Sequence, residues 1–310
     1  MILQLQKENE TIPIYWLCSA LKLVKSSYYA GLKSIAIQDE LDAQIWRKIS
    51  KVWEKFPGIG YRKLSNILGI GSTKIRRILR KYRQSSTKTR LKVVPPRKIP
   101  NVIKLITNAL KDDAAKCDRS NWVLRDGKNK YRKVIDPTRP FQLWAGDWKE
   151  LKIPLLGVTL YIFVIIDCYT RQLMGWELSI IKDSNSAIKA AEQAVNTASK
   201  YPAFNPRKLI MHTDQGGAYL AHDTIRYWRH LGVILSTADK GKPTQNPYIE
   251  SFFSILSRFW IKYHDLLTVT DAKQSLSSFF LLYNEEWPHG ALNFRAPLQV
   301  LSEVLPISHN

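Results

Sequence analysis

Residues from about 136 onward predict a mixed α/β domain built on one sheet, and residues before about 83 predict an all-helical region. The first reason is periodicity: from Phe141 apolar residues recur in short strand-like runs separated by glycine or polar turns, and before that at helical spacing. The second is charge. Residues 1–140 hold 31 Lys and Arg against 11 Asp and Glu, whereas residues 141–310 hold 16 against 15, so nearly all of the net +21 lies in the first half. Such a basic block points to a polyanionic partner, with nucleic acid ahead of a membrane surface.

In the first half, residues 11–35 predict a short helix, a turn and a second helix opened at Ser26 or Ser27. A longer helix is expected over 39–55, where Leu41, Ile45, Ile49 and Val52 share a face, and it stops at Phe56-Pro57-Gly58. Residues 61–68, a turn at Gly69-Ile70-Gly71, and a basic segment 74–83 with Ser72 as its N-cap have the form of a DNA-reading helix-turn-helix. The plainer reading is a solvated basic helix on a helical hairpin. Residues 74–98 carry 11 basic side chains and no acidic one, and 84–100 reads as an extended basic linker. A helix over 102–110 and a hairpin over 121–135 around Asp126-Gly127 are expected before the sheet domain.

Strands are expected at 142–153, 158–167 and 172–179, followed by a helix over 187–200 capped by Asp183-Ser184-Asn185. A strand at 208–213, a helix at 221–231, a strand at 233–236 and a final long helix at 247–263, with Pro247 in its first turn, complete the pattern. Three antiparallel strands followed by alternating helices and short strands is the order of a ribonuclease-H-like core. The expected divisions are a helical region 1–83 with up to two helix-turn-helix units, a linker segment 84–135, a core 136–285 and a C-terminal tail 286–310.

Several classes are disfavoured. Three cysteines without paired spacing give neither a disulfide framework nor a zinc knuckle, and all six histidines lie beyond residue 211, so the basic half cannot build a Cys/His zinc module. The polar start predicts no signal peptide. The most apolar run, 153–166, is shorter than the roughly 20 residues of a spanning helix and reads as buried strand. A reducing cytoplasm is the expected compartment.

Three carboxylates stand out: Asp147 in Trp-Ala-Gly-Asp-Trp, Asp214 in Met-His-Thr-Asp-Gln-Gly-Gly, and Glu250 in Asn-Pro-Tyr-Ile-Glu-Ser-Phe-Phe. Phosphodiester transfer requires in-line oxygens and neutralisation of the developing charge. Two hard divalent ions held by carboxylates can supply that neutralisation. Taken singly, an Asp after a strand is ordinarily a turn former and a Glu in a first helical turn serves the helix dipole. Asp167 competes, since it too ends a strand; it is read as a turn former with Arg171 as a candidate partner.

The motifs around these residues resemble the DDE transposases with a retroviral-integrase-like core, of the type encoded in the second reading frame of bacterial insertion sequences. Residues 142–180, 212–219 and 241–253 resemble the three core motifs in order, and Tyr283-Asn284 with Pro288-His289-Gly290 resembles the closing motif. The segment from Tyr61 resembles the helix-turn-helix that precedes such cores. The resemblance implies Asp147, Asp214 and Glu250 as catalytic ligands of two Mg²⁺ or Mn²⁺ ions, and an enzyme that cuts and joins DNA at the ends of a mobile element. It also implies double-stranded DNA as partner, both terminal inverted repeats and target, a homo-oligomer on DNA, and an upstream-frame protein as a further partner. Candidate DNA contacts are Arg62, Lys63, Lys74, Arg76, Arg77, Arg80, Lys81, Lys242, Asn246 and Arg258.

Two departures from the family pattern stand out. Gln245 replaces the usual Asp, and Ser257 replaces the basic residue expected seven positions after Glu250, with Arg258 one position further on. Alternative readings are an inactive or domesticated DNA-binding protein on the same scaffold, and a ribonuclease H or junction nuclease.

Overall fold

The structure, a computed structural model, describes residues 13–83, 104–105, 122–125, 130–134, 137–153, 156–214, 221–238 and 246–305. The chain divides into two compact units, Met1–Leu91 and Lys92–Asn310.

In the first unit, α1 (Ile14–Ala20) precedes α2 (Lys25–Lys55), then α3 (Tyr61–Leu68) and α4 (Ser72–Arg83). The two helices expected on either side of residue 35 are one helix of 31 residues, because no proline and only Gly31 interrupts it. Gly69 ends α3 in the left-handed conformation (φ 63°), where a side chain would be strained. Ser72 is the first helical residue, so its expected role as N-cap is not filled; the Gly71 carbonyl accepts from Ile75 N–H (3.1 Å). Ile45, Ile49, Leu64, Ile75 and Ile78 form the buried interior, and Trp46 stacks on Tyr82.

The second unit opens with β1 (Lys104–Leu105), β2 (Trp122–Arg125) and β3 (Lys130–Val134), an antiparallel sheet in the order β1-β3-β2. The helix expected over 102–110 is contradicted at Lys104–Leu105, where pairing with Lys133 and Val134 overrides local helical preference. The β2 and β3 strands pair as a hairpin would require; Asp126-Gly127 itself lies outside the described residues.

The main sheet contains β4 (Leu143–Ile153), β5 (Val158–Asp167), β6 (Leu173–Ser179), β7 (Ile210–Thr213) and β8 (Ile234–Thr237), in the order β6-β5-β4-β7-β8. The first three strands are antiparallel, and β7 and β8 are parallel to β4. This is the expected ribonuclease-H-like mixed sheet.

Helices α5 (Ser184–Ala198) and α6 (His222–His230) cover one face, where Trp144, Phe163, Ile165 and Met211 meet five alanines of α5 and Trp228 of α6. Asp183 caps α5 by accepting from Ser186 N–H (2.7 Å). The other face carries α7 (Pro247–Phe259) and α8 (Val269–Glu285), joined through Phe252, Phe280 and Tyr283. The sequence pattern did not single out α8, although Thr268 and Asp271 form its capping box. The segment expected to be a tail contains α9 (Pro297–Val304), whose Leu301 is buried in the core. Three apolar residues at helical spacing, Leu298, Leu301 and Leu305, pack there. Among the described residues, no helix is long and apolar enough to cross a membrane.

Candidate active site

Strand pairing sets β4, which carries Asp147, beside β7, whose end leads into Asp214. Leu143, Trp144 and Ala145 of β4 are in register with Ile210, Met211 and His212 of β7, and the same offset continued two residues carries Asp147 to Asp214. Equal register means equal side-chain parity, so both lie on one face of the sheet. Met211 and Trp148 belong to the opposite face, with the α5 core. Asp147 is half-buried and Asp214 exposed.

The third carboxylate arrives on α7. Asn246, the N-cap residue, is buried, and its Nδ2 donates to the carbonyl of Gly146 at 3.3 Å, tying the start of the helix to the residue before Asp147. Glu250 then stands exposed in the first turn of α7. Lys149 shares Asp147's face, and its Nζ lies 5.6 Å from the ring of Phe253, one turn beyond Glu250. Burial pushes the Lys149 ammonium down and the charge of Asp147 opposes that shift. Lys149 is absent from the sequence candidates, although the two-residue period of a strand would have marked it.

The donor set is all oxygen, which suits a hard divalent cation. Among the described residues Asn246 Oδ1 is buried without a hydrogen-bond partner, an acceptor that the water of a hydrated cation would satisfy. The carboxylates themselves are not gathered: among the described residues no three His, Cys, Asp or Glu side chains lie together closely enough to hold an ion. Asp147 Oδ1 accepts instead from the N–H of Trp148 (2.7 Å).

Asp167 is a turn former. It is buried, and its oxygens accept from Phe141 N–H, Tyr169 N–H, Thr170 N–H and the Thr170 hydroxyl. Burial pushes its carboxyl up, and these bonds pull it back. The pairing expected with the Arg171 side chain is not made: that guanidinium lies over Tyr248 instead.

The basic candidates divide. Arg62, Lys74, Arg76 and Arg80 are exposed, with Arg62 and Arg76 both flanking the Tyr61 ring. Arg77 donates to Asp42 (2.8 and 2.6 Å), and Lys81 reaches Asp39 (2.5 Å) and Asp42 (3.2 Å), so both spend their charge on α2. Lys63 keeps part of its surface exposed but is ringed closely enough that burial pushes its ammonium down to about 7. Asn246 is 5% exposed, too deep for the DNA contact expected of it, and serves to anchor α7. Lys242 lies outside the described residues. Arg258 is exposed in the last turn of α7, while the Ser257 hydroxyl is bonded to the Phe253 carbonyl (2.7 Å).

Two family models, each described as an integrase core domain, match residues 137–243 and 231–297. The chain is 29% identical over 170 residues to the transposase for insertion sequence element IS904 of Lactococcus lactis, covering 54% of this chain and 64% of that protein. It is 32% identical over 117 residues to transposase InsF for insertion sequence IS3A of Escherichia coli, covering 38% of each. These matches therefore span less than two thirds of the relatives' own length.

Among solved structures, the HTLV-2 integrase catalytic core in complex with magnesium aligns at 16% identity and a TM-score of 0.42, covering 53% of this chain and 97% of that one. A simian T-cell lymphotropic virus intasome aligns at 16% identity and 0.46, covering 81% and 74%. The two family matches together run from residue 137 to residue 297, over the whole main sheet and α7 and α8. Through them residues 137–297 place the chain in the integrase core domain family, and the relatives it resembles are transposases of bacterial insertion elements.

Proposed function

We propose that the protein is a DDE transposase that cuts DNA at the ends of a mobile element and joins the freed 3′-hydroxyl to another phosphodiester. The observation that supports this is the register of β4 and β7, whose continuation would bring Asp147 opposite Asp214, together with the bond by which Asn246 anchors the helix bearing Glu250.

In this reading Asp147, Asp214 and Glu250 hold two Mg²⁺ or Mn²⁺ ions. When bound, such ions neutralise charge on the scissile phosphate and activate the attacking oxygen. The chain's own contribution is placement. Two carboxylates come from the rigid sheet and the third from a helix start fastened to that sheet, so their separation is set by backbone pairing. Lys149, beside Asp147, supplies a cation near the phosphate's path. The exposed Arg62, Lys74, Arg76 and Arg80 of the helix-turn-helix grip duplex DNA, in line with the concentration of positive charge in residues 1–140. Joining two element ends calls for at least two copies on DNA.

The test is Mg²⁺-dependent strand transfer on end-containing duplex DNA with Asp147→Asn, Asp214→Asn and Glu250→Gln. Each substitution should lower the rate by at least about a thousandfold while DNA binding persists. Near-normal transfer by any one of them removes that residue from the site.

A further inference from the structure

Arg171 sits in the turn between β5 and β6 with φ 64°, a conformation that glycine or asparagine adopts more easily than a long side chain. Its Nε and Nη1 are buried without hydrogen-bond partners among the described residues. A disfavoured backbone angle and two unanswered buried donors are costs that the turn alone does not repay. What Arg171 does reach is Tyr248, whose ring centroid lies 3.6 Å from the guanidinium carbon. Tyr248 occupies the first turn of α7, between Asn246 and Glu250.

We propose that Arg171 is a positioning residue: its guanidinium, laid on the ring of Tyr248, sets the rotation of α7 about its axis and so the direction of Glu250. The inference rests on the reading of Glu250 as a metal ligand. The first turn of α7 is held at two points. Asn246 fixes where the helix begins by bonding to Gly146, and Tyr248 fixes how it is turned. Residues two apart on a helix point about 200° away from each other. Clamping the ring of Tyr248 against the β5–β6 turn therefore turns Glu250 outward, to the exposed side where it is found.

The test uses the full chain with Mn²⁺ as probe, reading the electron paramagnetic resonance signal of free Mn²⁺ and thermal unfolding on the same samples. Arg171→Gly should weaken Mn²⁺ binding about tenfold. Its Tm should stay equal or rise, because glycine suits the left-handed turn. Tyr248→Ala should show the same loss, Tyr248→Phe should bind as wild type since it keeps the ring face, and the double variant Arg171→Gly/Tyr248→Ala should be no weaker than either single one.

Wild-type Mn²⁺ affinity in Arg171→Gly overturns the proposal, as do affinity losses that merely track falls in Tm. Glu250→Gln, measured alongside, separates the two levels. If it loses Mn²⁺ and Arg171→Gly does not, only the positioning role falls. If Glu250→Gln binds as wild type, the assignment of the ligand falls and the inference goes with it.

Discussion

Asp42 shows how much one side chain can decide. It is fully buried on α2 and accepts from Arg77, Lys81 and Gln38, so it clasps α4 to α2. The Arg77 hydrogen bonds lead the effects that hold its carboxyl down at about 2. With the unfolded value near ~3.9, the clasp contributes in full above that pH and is lost as the pH falls through about 2. The protection factors of amides in α2 and α4, taken relative to the intrinsic exchange rate at each pH, should therefore fall in the wild type between pH 5 and pH 2. Asp42→Asn should already exchange faster at pH 5, by an amount equivalent to about 1–3 kcal/mol. Equal protection of the two at pH 5 would show that the clasp adds nothing. This pairing across two helices was not legible in the run of basic residues on α4, because charge along a sequence does not say which members meet an acid in space.

Among the elements, α5 and β6 depend on one close approach. A Cβ at Gly175 would run into the Ala190 carbonyl oxygen and, at 2.9 Å, the Ala194 amide nitrogen, both backbone atoms of α5 that cannot swing away. Gly175→Ala should lift α5 from the sheet and cost about 1–3 kcal/mol or more, seen as a lower denaturant midpoint. A midpoint equal to wild type would mean that the helix is not seated there. The alanines that permit this contact were visible as a closely packing helix. The strands β4, β5 and β6 were likewise readable, since their apolar runs end at glycine or polar turns. Helix α8 was not marked, because its buried Ala272, Leu276, Phe279 and Tyr283 mean little until Phe252 of α7 is known to face them. Helix α2 shows the opposite error, where a break was expected between a helix opened at Ser26 or Ser27 and a second one from residue 39, in a stretch that no proline interrupts.

For the molecule as a whole, the uneven charge places the proposed DNA affinity in the first 140 residues. Replacing Arg80 by Gln should reduce the slope of log K against log salt by about 0.9, the value for one lost phosphate contact. Arg77→Gln should leave the slope unchanged, since its charge is already spent on Asp42. Equal slopes for Arg80→Gln and wild type would take α4 off the DNA. By itself the sequence determined the ribonuclease-H-like order of elements, the division into basic and near-neutral halves, and three motifs each centred on a carboxylate, because these depend on local pattern and composition. Only the tertiary structure decided which basic groups remain exposed, that Asn246 anchors a helix, and that Arg171 turns from Asp167 to Tyr248. It also decided that β4, which carries Asp147, pairs in parallel with β7, whose end leads into Asp214. Each of these is a relation between residues far apart in the chain, set by strand pairing and helix packing that no local pattern encodes.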